Sequence, residues 1–263
     1  MGFIITKHIT MKTTALFLLA VCLTSVASMP QQERIIGGTT TTIQNYPFAC
    51  IMQIAHGAGW RHHCGCTIMN NRAVMSAAHC WPRTAPARNY RIRVGSTTKS
   101  SGGSMIVVQQ LIGHAQYNTR NHDNDIGVIR TNAIPIGSAA VRAGNIAGAN
   151  HNPADNANVI AIGWGFTTPT GSPSEHLRHV QLRVVNHNQC RNVYGGSTIT
   201  ANMLCAMWPG GGRGSCFGDS GTALIHNNVV VGVTSFGAEC ASSRWPGVYA
   251  RVSRYTAWLR QHA

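Results

Sequence analysis

The strongest constraint on the fold is a series of short β-prone runs, each closed off by glycine, asparagine or proline. They are Ile51-Met52-Gln53-Ile54, Tyr90-Arg91-Ile92-Arg93-Val94, Met105-Ile106-Val107-Val108, Ile126-Gly127-Val128-Ile129 and Val159-Ile160-Ala161-Ile162. Val180-Gln181-Leu182-Arg183-Val184-Val185, Val229-Val230-Val231-Gly232-Val233 and Gly247-Val248-Tyr249-Ala250-Arg251-Val252 continue the series. Apolar and β-branched runs of this length between turn formers read as strands. Several alternate apolar with polar, as strands with one buried face do. No repeat interrupts them, so an all-β sandwich or barrels are expected, not a solenoid. One helix is expected at the end, Tyr255 to Arg260, with Tyr255, Trp258 and Leu259 on one face. The polar stretch from Gly144 to Ala157 is expected to separate two halves.

Residues 1–28 stand outside that series. Met11-Lys12 precedes an apolar run from Ala15 to Leu23, and small residues follow through Ser28. A basic start, a short apolar core and a small-residue end make a secretory signal peptide; the run is too short to span a bilayer. The stub 29–34 ends in Arg34 and leads into Ile35-Ile36-Gly37-Gly38, which reads as a processing site, with a plain linker as the alternative. Export changes what the cysteines mean. Cys22 leaves with the leader, and Cys50, Cys64, Cys66, Cys80, Cys190, Cys205, Cys216 and Cys240 remain. An even number in an oxidising compartment points to disulfides. Cys64-Gly65-Cys66 beside His62 and His63 fits no common zinc spacing, so neither metal nor cofactor is expected.

Lysine and arginine total 21 against 7 acids, and 18 of the 21 are arginine. Nucleic acid is the usual partner of a basic chain. Here the arginines are scattered and the chain is exported, so neither nucleic acid nor membrane is expected. The arginine bias has another use. Lysine discharges near pH ~10.4 and arginine only above ~12.5, so an arginine surface stays cationic in a strongly alkaline fluid.

Gly214-Ser215-Cys216-Phe217-Gly218-Asp219-Ser220-Gly221 sets a serine and an acid between glycines, whose missing Cβ lets backbone N–H groups face a ligand. A serine nucleophile needs a base, and the base needs an orienting group. Ser76-Ala77-Ala78-His79-Cys80 offers a histidine beside a cysteine. Asn124-Asp125-Ile126 offers an acid at the start of an apolar run, where burial would demand a partner such as a histidine N–H. Singly, these read as an ordinary turn, a structural histidine and a turn cap.

Taken in order along the chain they join other motifs. Arg34-Ile35-Ile36-Gly37-Gly38, Ala77-Ala78-His79-Cys80, Asn124-Asp125-Ile126, Gly163-Trp164-Gly165, Gly218-Asp219-Ser220-Gly221, Ser235-Phe236-Gly237 and Pro246-Gly247-Val248-Tyr249 follow one another. The set resembles the chymotrypsin/trypsin family of secreted serine proteases over residues 35–263, and in its details the gut trypsins of moths and butterflies. The resemblance implies two six-stranded antiparallel β-barrels, roughly 35–145 and 146–263, with a short C-terminal helix. It implies a triad of His79, Asp125 and Ser220 in the cleft between them, and an oxyanion hole made by the N–H groups of Gly218 and Ser220. It implies a zymogen, with cleavage after Arg34 by an activating protease freeing the Ile35 ammonium to pair with Asp219. Implied bridges are Cys64–Cys80, Cys190–Cys205 and Cys216–Cys240. Cys50 and Cys66 are left over, each eight residues from Ala58 in the turn His56-Gly57-Ala58-Gly59. A fourth, cross-strand bridge is therefore expected, with free thiols as the alternative. Implied partners are protein and peptide substrates and protein protease inhibitors. The enzyme is expected to be a monomer, secreted, and digestive in an alkaline gut lumen.

The primary pocket departs from the trypsin pattern. Its base carries Gly214 where trypsins carry aspartate. Ser215, Ser235, Gly237, Glu239 and Gly247 match other pocket positions, and Gly237 and Gly247 leave the walls open. An open, uncharged pocket suits large apolar or aromatic side chains through burial, so cleavage after such residues is expected. Cleavage after basic residues, aided by Glu239 at the rim, is the alternative. Thr222-Ala223 stands in place of Gly-Pro, and Phe236 in place of a tryptophan. No acid pair lies between Arg93 and Met105, so the family's calcium loop is not expected. A catalytically silent homologue that binds proteins is the remaining alternative.

Overall fold

The computed structural model describes residues 1–2 and 35–263. Most of the expected leader, and the stub ending in Arg34, lie outside the described residues. After the short β1 (Thr39–Thr40) come β2 (Ala49–His56), β3 (Gly59–Asn70), β4 (Ala73–Ser76), β5 (Tyr90–Val94), β6 (Ser104–Gly113) and β7 (Gly127–Thr131). The last six are antiparallel and close into a barrel in the order β2-β3-β4-β7-β6-β5. Closure leaves no unpaired edge along the ring, the liability of any open sheet.

A second barrel follows the two-residue β8 (Asn145–Ile146). Its strands are β9 (Asn158–Gly163), β10 (Arg178–Val185), β11 (Met203–Met207), β12 (Ala223–His226), β13 (Val229–Phe236) and β14 (Gly247–Arg251). They run β9-β10-β11-β14-β13-β12, and β9 closes the ring by pairing with both β10 and β12. The period-two pattern is clearest in β10, where Arg178, Val180, Leu182 and Val184 are buried and Gln181 is exposed. Asn227 and Asn228, at φ 48° and 61°, turn β12 into β13. Two positive-φ residues give the turn whose twist matches the flanking strands. One apolar cluster runs through both barrels, from Ile51, Ile92 and Val128 to Val159, Leu224 and Val231.

The ends of this unit cross over. β1 pairs with β10 in the second barrel, though it precedes the first. The C-terminal helix, which lies past the second barrel, returns: His262 O accepts a bond at 2.9 Å from Arg130 Nε of β7. That helix covers Thr256–His262 and buries Leu259. An earlier helix, α1 (His187–Val193), was not among the sequence expectations; the final one is α2. The Asn186 side chain caps α1 by accepting the N–H groups of Asn188 and Gln189 at 3.0 and 3.2 Å. Strands β3, β4, β11 and β12 also go beyond the runs read from sequence.

Four disulfides join Cys50–Cys66, Cys64–Cys80, Cys190–Cys205 and Cys216–Cys240. Cys50 and Cys66 stand directly opposite in the β2–β3 ladder, with Cα atoms 4.8 Å apart. Both cysteine pairs of the first barrel are thus closed, and neither leaves a thiolate for a metal. No described helix is long and apolar enough to cross a membrane.

Candidate active site

His79 lies in a single 3-10 turn, Ala78–Cys80, straight after β4. The turn is tied to β3 by the Cys64–Cys80 bridge, and His63 Nε2 donates to Cys80 O at 2.6 Å. Asp125 comes from the loop before β7 and is 1 % exposed. Its Oδ1 accepts the His79 backbone N–H at 2.8 Å and its Oδ2 the ring Nδ1–H at 2.7 Å. Ser235 Oγ, from β13 of the other barrel, donates to the same Oδ2 at 2.5 Å. Burial pushes the Asp125 carboxyl up, but the bonds and charge of His79 and the Ser235 hydroxyl outweigh it and hold Asp125 below the usual carboxylate range. In the neutral ring, the carboxylate fixes the proton on Nδ1 and leaves Nε2 as the lone pair.

Ser220 sits in a turn pinned from both barrels. Its carbonyl accepts the N–H of Gly65 in β3 at 2.7 Å, and the next residue, Gly221, donates to Thr234 O in β13 at 2.8 Å. Gly221 adopts φ +81°, and a Cβ there would run into Ser76 Oγ and Gly65 O, so only glycine fits. Two peptide planes on either side of Asp219 are also fixed. The Phe217 carbonyl takes the Phe166 N–H at 2.8 Å, which sets the peptide bearing the Gly218 N–H. The Asp219 carbonyl takes the N–H and Oγ1–H of Thr222 at 3.0 and 2.6 Å, which sets the peptide bearing the Ser220 N–H. Among the described residues, neither the Gly218 N–H nor the Ser220 N–H finds an acceptor. Two fixed, unspent donors beside a serine suit an oxygen that gains negative charge. The Ser220 hydroxyl likewise has no hydrogen-bond partner among the described residues. Its bond to an imidazole is one that can tighten only when substrate docks.

Asp219, the residue between those planes, is fully buried. It accepts Gly165 N–H at 2.7 Å and Cys216 N–H at 2.9 Å, and no cation pairs with it among the described residues. A Cβ on Gly163 or Gly165 would strike its carboxylate, which is the physical reason for the Gly163-Trp164-Gly165 motif. Burial, opposed by those two N–H groups, pushes its pKa up to about 7. Nearby, Ile35 is buried, Ile36 O accepts the Gly214 N–H at 3.0 Å, and Gly37 at φ +71° packs on Gly212.

Ser220 opens onto a cavity of about 250 Å³. All the sequence-named pocket residues line it: Gly214, Ser215, Ser235, Gly237, Glu239 and Gly247. Phe236, Trp245 and Val248 add apolar wall. At the base, Gly214 is buried against Ala241, and Ser215 Oγ meets Tyr249 OH at 3.0 Å. Glu239 is exposed and accepts a bond from Ser242 at 3.0 Å.

Several contributors were not found from sequence. Ser235, read as a pocket residue, also bonds Asp125. His62 Nε2 donates to Gly218 O at 2.8 Å; burial lowers its pKa to about 4 against the pull of that carbonyl, so the ring is neutral. Thr222, read as a departure, supplies a hydroxyl bond to the turn. In the stretch from Arg93 to Met105, Arg93 donates to the carbonyls of Ser100 and Gly102.

A family model described as Trypsin matches residues 35–259. The chain is 49 % identical to "Trypsin CFT-1" of Choristoneura fumiferana and 47 % identical to "Trypsin, alkaline C" of Manduca sexta. Each match covers 94 % of this chain and 98 % of the relative. "Achelase-1" of Lonomia achelous is 42 % identical over 87 % of this chain and 100 % of its own length. Two closed six-stranded barrels, a buried aspartate on a histidine, a glycine-flanked serine and this likeness over nearly the whole chain place the protein in the trypsin family of serine endopeptidases.

Proposed function

We propose that the chain is exported as an inactive precursor, is cut after Arg34, and then hydrolyses peptide bonds through Ser220, His79 and Asp125. Ser220 Oγ attacks the peptide carbonyl. His79 Nε2 takes its proton and later gives it to the leaving amine. Asp125 holds the tautomer and stabilises the imidazolium; the N–H groups of Gly218 and Ser220 receive the oxyanion. The observation that carries this reading is the pair of unspent N–H donors at Ser220. Cleavage would supply Asp219 with a cation, the Ile35 ammonium, where none pairs with it among the described residues. The leader-like start, the arginine bias and relatives named alkaline trypsins support secretion into an alkaline lumen and a digestive role. Protein inhibitors of such enzymes would act on the same cleft. Covalent labelling of the cut protein by a fluorophosphonate, abolished by Ser220→Ala, tests the nucleophile; no adduct on Ser220 defeats the reading.

We further propose cleavage after apolar and aromatic residues. Support comes from the uncharged base at Gly214 beneath a largely apolar wall. A second reading, cleavage after lysine or arginine, is favoured by the relatives named trypsin and by Glu239 on the cavity wall. The ratio of kcat/KM on matched Phe, Leu and Arg anilides decides. Apolar specificity expects Phe and Leu ahead, with Gly214→Asp shifting the ratio toward Arg. Strong Arg preference in the unaltered enzyme overturns it, and Glu239→Gln then shows whether the rim acid is responsible.

A further inference from the structure

The loop that carries Asp125 carries a second histidine close to the first. His122 adopts φ +58° and its ring is clamped. It stacks on Phe236 at 5.1 Å between centroids, meets the Tyr117 hydroxyl through Nδ1 at 3.1 Å, and stands edge-on to His79 at 6.0 Å. His79, His122 and Asp125 each offer a ligand atom, all within 4.8 Å of one another. Asp125 is already committed, both oxygens being bonded by His79 and Ser235. The imidazoles are not. Nδ1 of His79 donates to Asp125, which leaves that ring an Nε2 lone pair; Nδ1 of His122 meets the Tyr117 hydroxyl, and in the tautomer that donates there its Nε2 is a lone pair too.

We propose that His79 and His122 together form a site for one borderline divalent cation, of the zinc, copper or nickel class, whose occupancy turns the enzyme off. A histidine that binds metal through one nitrogen is held by a carboxylate, hydroxyl or carbonyl on the other, which fixes the tautomer and strengthens the ligand. Both rings have that support, from Asp125 and from Tyr117. Two imidazoles suit borderline cations, whereas calcium and magnesium demand several oxygens. The remaining coordination positions open to the cleft, where the His79 side chain is 24 % exposed, and take water. The second cluster around His79, with Cys64 and Cys80, offers no thiolate because the two cysteines are bonded to each other. Inhibition follows because the cation occupies the lone pair that must accept the serine proton. That consequence rests on the role proposed for His79; the binding of the cation does not.

Calorimetric titration of Zn²⁺, and of Co²⁺ as a visible reporter, into the cut enzyme and its Ser220→Ala form tests the site, with hydrolysis assayed in parallel. One cation per chain is expected in both forms, with no comparable binding of Ca²⁺. His122→Gln is expected to weaken zinc by at least about tenfold and to relieve inhibition, each judged against that variant's own metal-free rate. Tyr117→Phe keeps both rings, should weaken zinc by less, and stands in if His122→Gln does not fold. The surface pair His151 and His226, 3.2 Å apart, is the control: His226→Gln should change nothing. Unchanged zinc affinity in both loop variants, loss of binding in His226→Gln instead, or calcium as tight as zinc overturns the site. Zinc binding that depends on His122 yet leaves hydrolysis untouched overturns the switch and the base role of His79, while leaving the two ligands standing.

Discussion

Asp125 and Asp219 are both buried carboxylates, 1 % and 0 % exposed, one in each barrel's share of the site. Their acidities move in opposite directions. Asp125 falls below the usual range, whereas Asp219 rises to about 7. Burial acts on both alike. The difference lies in what faces them. Asp125 meets a ring that can become a cation, together with a backbone N–H and a hydroxyl. Asp219 meets two backbone N–H groups and no cation among the described residues. Fixed dipoles soften the burial of a charge; a group able to carry the opposite charge reverses it. One acid thus has its partner among the described residues; the other would gain one only through the cleavage proposed above.

The largest expected effect breaks the complete pair. Asp125→Asn keeps an acceptor for the His79 backbone but no longer dictates the proton on Nδ1. In the cut enzyme kcat should fall about 10⁴-fold, the loss known for this family's triad. A fall under about tenfold, on the best ester substrate, would mean that Asp125 does not set the tautomer.

The next prediction concerns the incomplete acid. Its folded value lies above the ordinary carboxyl value of 3.8, so its contribution is fully present below about pH 4 and is lost as pH rises through about 7. The penalty is on the order of 4 kcal/mol. An uncuttable precursor, Arg34→Gln, should lose stability across that window. The cut enzyme, with an ammonium beside Asp219, should not. Urea midpoints of the two forms should separate most between pH 7 and 8 and converge toward pH 4, and Asp219→Asn should flatten the precursor's profile. A separation independent of pH would remove the contrast between the two acids.

Much of this asymmetry is legible in the sequence, though not its cause. His79, Asp125, Asp219 and Ser220 stand in motifs, and their neighbours Gly163, Gly165 and Gly221 are conspicuous as glycines. Why those glycines are needed is a matter of distance: carboxylate or backbone atoms occupy the space of their Cβ. The Ser235–Asp125 bond joins residues 110 apart in the chain, so no local pattern could announce it. Strand β3 shows in the sequence only through the turn at His56–Gly59 and the facing of Cys50 and Cys66, not as a β-prone run, for a different reason. Gly59-Trp60-Arg61-His62-His63 lacks apolar alternation, because His62 and His63 turn toward the site and not into an apolar core. Helix α1 depends on the Asn186 cap, a signal that looks the same as a turn until the following residues are seen to coil.

Ser235 sharpens the comparison by removing one donor from the complete acid. A hydrogen bond to a charged group contributes about 1.5–3 kcal/mol. A folded pKa held below the unfolded value gives stability above that value and loses it as pH falls through the folded one. Ser235→Ala raises the folded pKa of Asp125, so the acid unfolding midpoint should move to higher pH. The same substitution should leave the alkaline side of the profile in place. A shift there instead would assign the hydroxyl to packing.

The smallest effect tests whether the second acid's backbone is held as firmly as the first acid's side chain. Thr222 Oγ1 donates to the Asp219 carbonyl at 2.6 Å and meets Thr234 Oγ1 at 3.0 Å. The carbonyl belongs to the peptide whose N–H is that of Ser220, so the hydroxyl acts on the oxyanion donor through one rigid plane. Thr222→Val keeps the shape packed against Gly65 and deletes the bond to the Asp219 carbonyl, worth about 0.5–1.5 kcal/mol, along with the contact to Thr234 Oγ1. If the bond aims the donor, that energy is lost in the transition state alone: kcat should drop about two- to tenfold with KM unchanged, and Thr222→Ser should restore it. If Thr222 merely fills space, Thr222→Val would keep full kcat and Thr222→Ser would be the weaker protein in thermal melts. The residue that departs from the Gly-Pro pattern would then be a tolerated replacement, and the backbone beside Asp219 would owe its geometry to Gly221 and the barrel strands.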